Sequence, residues 1–197
     1  MRPILGLILA AVLLAAGCGS TPSSDYYLLN SPVSEVPAGT EPSLGIGPIT
    51  IPEYLNRNSM VFLEGDNALH IASYDRWAEP LEDGIQRVMA MNLASMLDTQ
   101  NVRAFPWAKS RAPEYGVRLR IAGLDAGGGK ATLVAEWVLL NEEATSDVTR
   151  RLSRLETTLP SGDIEGFAVA AAYSELLHQL CEEIAKEIRA TNAANEQ

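Results

Sequence analysis

A cysteine at position 18 closes an uncharged apolar run: Arg2 precedes the run, Ile4 to Ala16 is almost wholly apolar, and Ala15-Ala16-Gly17 leads directly into Cys18. Small residues there let an extended backbone enter a peptidase, and the thiol beyond them is a nucleophile able to take a diacylglycerol through a thioether. The run has thirteen residues, whereas a spanning helix needs about 20 to cross ~30 Å of hydrocarbon. It therefore reads as a targeting segment. Other chemistry is sparse. His70 and His178 are far apart in sequence and lack a Cys, Asp or Glu at ligand spacing on a loop, so no metal site is expected. The serines near Cys18 lack a nucleophile-elbow pattern. Gly127-Gly128-Gly129-Lys130 has the composition of a phosphate loop, yet such a loop must open a helix and a strand follows here, so a hairpin turn is expected. Glu142-Glu143 and Glu182-Glu183 are adjacent in sequence and do not face one another across a substrate. No catalytic residue is expected, and the chain reads as something other than an enzyme.

Two sets of side chains suit recognition better than catalysis. Arg118, Arg120, Arg150, Arg151 and Arg154 concentrate positive charge on neighbouring predicted strands; they either pair across strands with Glu136 and Glu156 or dock an acidic partner or another copy. Tyr54, Arg57 and Trp107 lie in predicted loops, and aromatic and arginine side chains dominate interface hot spots.

The elements that must position these residues follow from periodicity. Residues 1–17 are the targeting segment and 18–24 a tether of small residues; 25–190 form one domain, and 191–197 are expected to be a disordered tail. The strands expected are Tyr26 to Leu29, Leu44 to Ile51 (edge or bulged at Pro48), a hairpin from Met60 to Ala72, and Asn101 to Phe105. A meander over Gly116 to Thr158 follows, its middle strand apolar on both faces. A helix is expected from about Arg76 to Asp98, capped by Asp75, with Pro80 in its first turn and Trp77 on its apolar face. A second is expected from Ile164 to Ala190, with Phe167, Tyr173, Leu177, Leu180, Ile184 and Ile188 inward. The order implies an α+β fold, a largely antiparallel mixed sheet with two long helices packed on one face. Cys181 falls on the apolar side of the second helix and has no intrachain partner if Cys18 is acylated, so a buried inert thiol is expected. The 25 acidic against 15 basic residues, a formal charge of -10, exclude broad attraction to nucleic acid or anionic lipid.

The segment around Cys18 resembles the bacterial lipoprotein box, departing from it in carrying Leu14 one place early and Ala15 in the usual leucine position. That resemblance implies a diacylglycerol and an N-acyl chain on Cys18, with Gly19 after it implying the outer membrane. The mature chain resembles the auxiliary lipoproteins of ABC-type intermembrane transport systems, the PqiC-like family. The likeness rests on Cys18, Tyr26-Tyr27-Leu28-Leu29, the run Gly45 to Arg57, and Trp77-Ala78-Glu79-Pro80-Leu81. It implies a lipid-anchored protein facing the periplasm, with no cofactor beyond its own acyl chains. Such a protein docks or caps the distal end of an MCE-domain tube, and through that tube works with an inner-membrane transport component; copies in a ring would match a symmetric tube. Pro52, Glu53, Tyr54, Leu55, Arg57 and Trp107 are the partner-binding candidates. An independent lipid-binding lipoprotein, which predicts an enclosed apolar pocket, and an oligomeric envelope-assembly scaffold are the competing readings.

Overall fold

The computed structural model describes residues 23–65, 67–141, 146–162 and 164–195. Cys18, most of the tether, Asp66, Glu142, Glu143 and Asp163 lie outside the described residues. Eight strands and two helices follow in the order β1 (Asp25–Tyr27), β2 (Leu44–Thr50), β3 (Ser59–Leu63), β4 (Leu69–Trp77), α1 (Leu81–Met96), β5 (Val102–Ala104), β6 (Tyr115–Gly127), β7 (Lys130–Asn141), β8 (Ser146–Thr158) and α2 (Gly166–Asn195). The α+β class and the two helices on one sheet face agree with the sequence reading, but the strands divide between two sheets. The larger has the order β5-β2-β6-β7-β8 and the smaller β1-β4-β3. β6, β7 and β8 form the antiparallel meander, whereas β2 runs parallel to both its neighbours.

Alternation explains how the meander meets the helices. Leu133, Ala135, Trp137 and Leu139 of β7 are fully buried, α2 packing on β7 while α1 lies on β2 and β5; burying one Leu-sized side chain is worth about 1.5–3 kcal/mol. From α1 come Ile85, Val88, Met89 and Leu93, and from α2 Tyr173, Leu177, Leu180, Ile184 and Ile188, all buried. Cys181 joins them, and burial pushes its thiol up to about 12. The β6–β7 turn is the expected hairpin: Gly128 and Gly129 hold φ of 59° and 79°, the left-handed region that costs glycine nothing.

Three expectations need correction. The first helix begins at Leu81, not Arg76, and Trp77 ends β4. The amide of Trp77 donates to Asn58 O (2.7 Å) and that of Ala78 to Tyr27 O (2.9 Å), so strand pairing claims the backbone that Asp75 would have capped. Pro80 then bars the helical region to Glu79. Of the two readings of β2 the bulge is the one present: the β2–β6 register shifts between Ile46 and Ile49 around Pro48, and the strand is internal. Gln86 Nε2 and the Phe105 amide both donate to Ile46 O there, at 2.8 and 2.9 Å. Residues 191–195, expected to be disordered, continue α2. Thr191 Oγ1 donates back to Glu187 O, Tyr115 donates its hydroxyl to Asn192 Oδ1, and Arg189 donates to Met96 O, which ties the helix end to the body. Phe167, expected inward, is 59% exposed.

The smaller sheet packs on the end of the larger one. Trp77 stacks on Tyr173 with ring centroids 6.1 Å apart, and the Tyr173 hydroxyl donates to Leu124 O at 3.1 Å. Residues 28–43 form a strap across the helix pair. Arg87 donates to Leu29 O (2.9 Å), the Asn30 amide to Ser174 Oγ (2.9 Å), and Ser31 Oγ to the buried Asn92 Oδ1 (2.6 Å); the Ala38 amide donates to Asp98 Oδ1 (2.9 Å).

Candidate functional site

The turn between β2 and β3 carries five of the six partner-binding candidates. Its backbone closes on itself, the Leu55 amide donating to Pro52 O (3.0 Å), that of Asn56 to Glu53 O (3.1 Å) and that of Arg57 to Leu55 O (2.8 Å). Leu55 plugs into the core at 3% exposure, so it anchors the turn from below. Tyr54 is half-buried, and its hydroxyl donates to Asp125 Oδ1 at 2.8 Å while accepting the Leu124 amide at 3.3 Å. That amide lies past Arg120, where the pairing of β6 with β2 ends, and just beyond the register shift between Ile121 and Gly123. Burial first, then the neighbouring Asp125 carboxylate, pushes the Tyr54 hydroxyl up to about 12, with the Leu124 amide opposing. Glu53 and Arg57 are left exposed to solvent and Pro52 half-exposed.

Trp107 is not brought to that turn. It packs over Val138 and Leu140 on the sheet face opposite the helices, edge-on to Phe105 at 5.4 Å. A Cβ on Gly45 would lie 2.5 Å from Pro113 and 2.6 Å from the indole ring, so glycine is what lets both approach β2. Gly45 and Pro52 are seven residues apart along β2, about 23 Å of extended chain, which places Trp107 and the turn at opposite ends of that strand.

Between them lies a recess of ≈ 310 Å³ that the linear sequence did not disclose. Pro48 and Thr50 of β2, Arg118 and Arg120 of β6, Glu136 and Val138 of β7, and Arg150 of β8 line it. The registers that pair Thr50 with Arg120 and Val138 with both Arg118 and Arg150 create it. Alternation within β6 and β8 was the available signal, but only the register shows which residues meet. The cross-strand pairing expected for the arginines is present at Glu136, which Arg120 and Arg150 both bond; Glu156 bonds Lys130 across the strands and Arg154 along β8. Hydrogen bonds from these cations hold both carboxyls below the usual carboxylate range. Arg151 points the other way and pairs with Glu187 of α2 at 2.8 Å. Arg118 has neither hydrogen bond nor ion pair among the described residues.

The arginines, the paired carboxylate and the aromatic rings of this surface are groups that suit recognition. His70 is on β4, stacked on Phe62 at 6.2 Å, and His178 is on α2, so one histidine belongs to the smaller sheet and the other to a helix. Among the described residues no three His, Cys, Asp or Glu side chains converge as they would around a metal ion. No described helix is long and apolar enough to cross a membrane.

Comparison with known proteins gives this architecture a family. Residues 26–185 match the model of the ABC-type transport auxiliary lipoprotein component. The intermembrane transport lipoprotein PqiC of Escherichia coli K12 is 29% identical over 161 residues, spanning 76% of this chain and 80% of that protein; the Shigella flexneri protein of the same name matches equally. The crystal structure of XCC0632 from Xanthomonas campestris superposes with a TM-score of 0.69 at 18% identity, over 88% of this chain and 99% of that one, which shows the fold alone. The match extends from β1 into α2 and includes the strap, α1 and the turn at Pro52–Arg57. The chain therefore belongs to the family of ABC-type transport auxiliary lipoprotein components.

Proposed function

We propose that the mature chain is a non-enzymatic accessory of an MCE-type intermembrane lipid transport system. It is acylated on Cys18, held at the outer membrane facing the periplasm, and caps the distal end of a periplasm-spanning tube. The observation that carries the reading is the family match across residues 26–185, which covers nearly the whole described body. The docking surface is the outer sheet face: Glu53 and Arg57 on the Tyr54-anchored turn, the arginine-lined recess, and Trp107 at the far end of β2. A rigid turn loses little entropy when a partner orders it, and guanidiniums on an otherwise acidic body favour an acidic edge on the partner. Acyl chains supply the membrane attachment, because each buried methylene contributes ~0.8 kcal/mol and stable anchoring needs more than one chain.

The test places a photo-crosslinking amino acid at Arg57, at Arg118 or at Trp107 in the full chain inside intact cells. Adducts with an MCE-domain protein at these positions, and not at Ala193 near the end of α2, support the reading. A cell in which all four positions capture no MCE protein, while the isolated monomer carries bound lipid, supports the independent lipid-binding reading instead.

A further inference from the structure

The pole of the domain where the chain enters has an exposed apolar surface that the docking face does not use. Tyr26 is 65% exposed, Leu28 53% and Phe167 59%. Leu28 and Phe167 line an open groove of ≈ 420 Å³ between the strap and the start of α2, with Tyr27, Pro32 and Ala171 on its apolar side and Ser174, Glu175 and His178 on its polar side; Tyr26, next to Tyr27 on β1, stands beside it. Scattered exposed apolar residues are ordinary, but a contiguous set beside an apolar groove marks a contact surface.

What covers it follows from where the chain is held. Ser24 Oγ accepts a hydrogen bond from Arg76 Nε at 3.2 Å, and β1 pairs with β4 from Asp25 onward, so the body is fixed from Ser24. Cys18 is six residues earlier, and six peptide units reach at most about 21 Å however they are arranged. A body of this length is roughly 40 Å across. A tether shorter than the body is wide lets only the pole around Ser24 rest on the bilayer that holds Cys18. Tyr26, two residues along β1, stands about 7 Å from Ser24. Asp25, Glu165 and Glu175 at the rim are all exposed, so the lipid that fits is zwitterionic, not anionic.

We propose that Tyr26, Leu28 and Phe167 form a bilayer-contact patch that seats this pole in the headgroup layer and fixes the orientation of the domain. Aromatic rings with one polar end suit that layer, and tethering supplies the high local concentration that lets a small patch dock. The inference rests on the proposed acylation of Cys18. The orientation would leave the outer sheet face free for a partner.

The test uses the full acylated chain in phosphatidylcholine vesicles that contain a lipid-borne quencher. Cys181 is buried and its thiol titrates only near 12, so one added cysteine takes an environment-sensitive fluorophore selectively. Labels at Phe167→Cys and Leu152→Cys are compared, Leu152 lying on the opposite sheet face. The label at 167 is expected to be quenched and that at 152 not; Leu28→Asp should shift the docked-to-undocked ratio about tenfold toward undocked. Mass analysis of the N-terminal peptide reports the anchor separately. An acylated chain whose label at 167 is no more quenched than that at 152, or is shielded instead by a second copy, overturns the patch and leaves the anchor standing. An unmodified Cys18 overturns the anchor and with it the tether argument.

Discussion

Replacing Tyr54 by Phe removes one oxygen atom and tests whether the β2–β3 turn is held by its hydroxyl. That hydroxyl donates to the Asp125 carboxylate at 2.8 Å and accepts the Leu124 amide at 3.3 Å. A hydrogen bond to a charged group is worth about 1.5–3 kcal/mol and a neutral one about 0.5–1.5. The second is long and the site half-exposed, so water recovers part of the loss, and the expected cost is about 2 kcal/mol. In a domain of this size that lowers Tm by roughly 4–8 °C, which calorimetry resolves. Asp125→Ala should cost a similar amount, and the double variant should cost less than the sum by about 1 kcal/mol, because one bond cannot be lost twice. The alkaline limb adds an independent reading. The folded-state value for Tyr54 is raised from 10 to about 12, so its contribution is fully present below pH 10 and is lost as pH rises through about 12. Burial raises Tyr173 in the same direction. Tyr54→Phe should therefore reduce, without abolishing, the fall of stability in that range. A variant within about 0.5 kcal/mol of the parent, or strictly additive costs, would refute the account of how the turn is anchored.

Other outcomes follow from the same contacts. A Cβ on Gly127 would lie 2.5 Å from the backbone oxygen of Leu63, which cannot swing aside, so Gly127→Ala should cost about 1–3 kcal/mol; hydrogen exchange should show the loss concentrated in β3 and β4. Ser153 Oγ accepts the buried Trp137 indole N–H at 3.0 Å and donates to Glu183 of α2, so Ser153→Ala should cost about 1–3 kcal/mol by leaving that N–H unpaired; equal denaturation midpoints would exclude it. Gly45→Ala places a Cβ 2.6 Å from the Trp107 ring and should lift the indole off the sheet, raising its solvent exposure as read by acrylamide quenching. Native Cys181 should resist maleimide at pH 8 and react once the chain is denatured.

The meander was legible because its signals are local: glycines at the 128–129 turn and alternation from Val117 to Ile121 state the hairpin and the inward face. The helix start was not legible, since Asp75, Trp77 and Pro80 satisfy the local rules for a capped helix. Only the pairing of β4 with β1 and β3 outbids that cap. The C-terminal residues misled for the opposite reason. Thr191 and Asn192 are weak helix formers by composition, but contacts with β6 and the end of α1 hold them in the last turns of α2. Phe167 keeps the spacing of an inward residue and still faces water, because the strap stops short of it.

Of the candidate surface, sequence alone determined the ingredients: a cysteine placed for acylation, an acidic body, an arginine cluster on neighbouring strands and aromatic residues in loops. Those are matters of composition and short-range order, which a linear chain states directly. Which residues act together was decided by strand register and bulges. The parallel pairing of β2 with β6 set Thr50 beside Arg120 and left Trp107 at the other end of the strand. Past the bulge in β6, Tyr54 meets the Leu124 amide and the Asp125 carboxylate and so clamps its own turn. Register is a long-range choice, settled by which faces bury together, and no window along the chain contains both strands that make it.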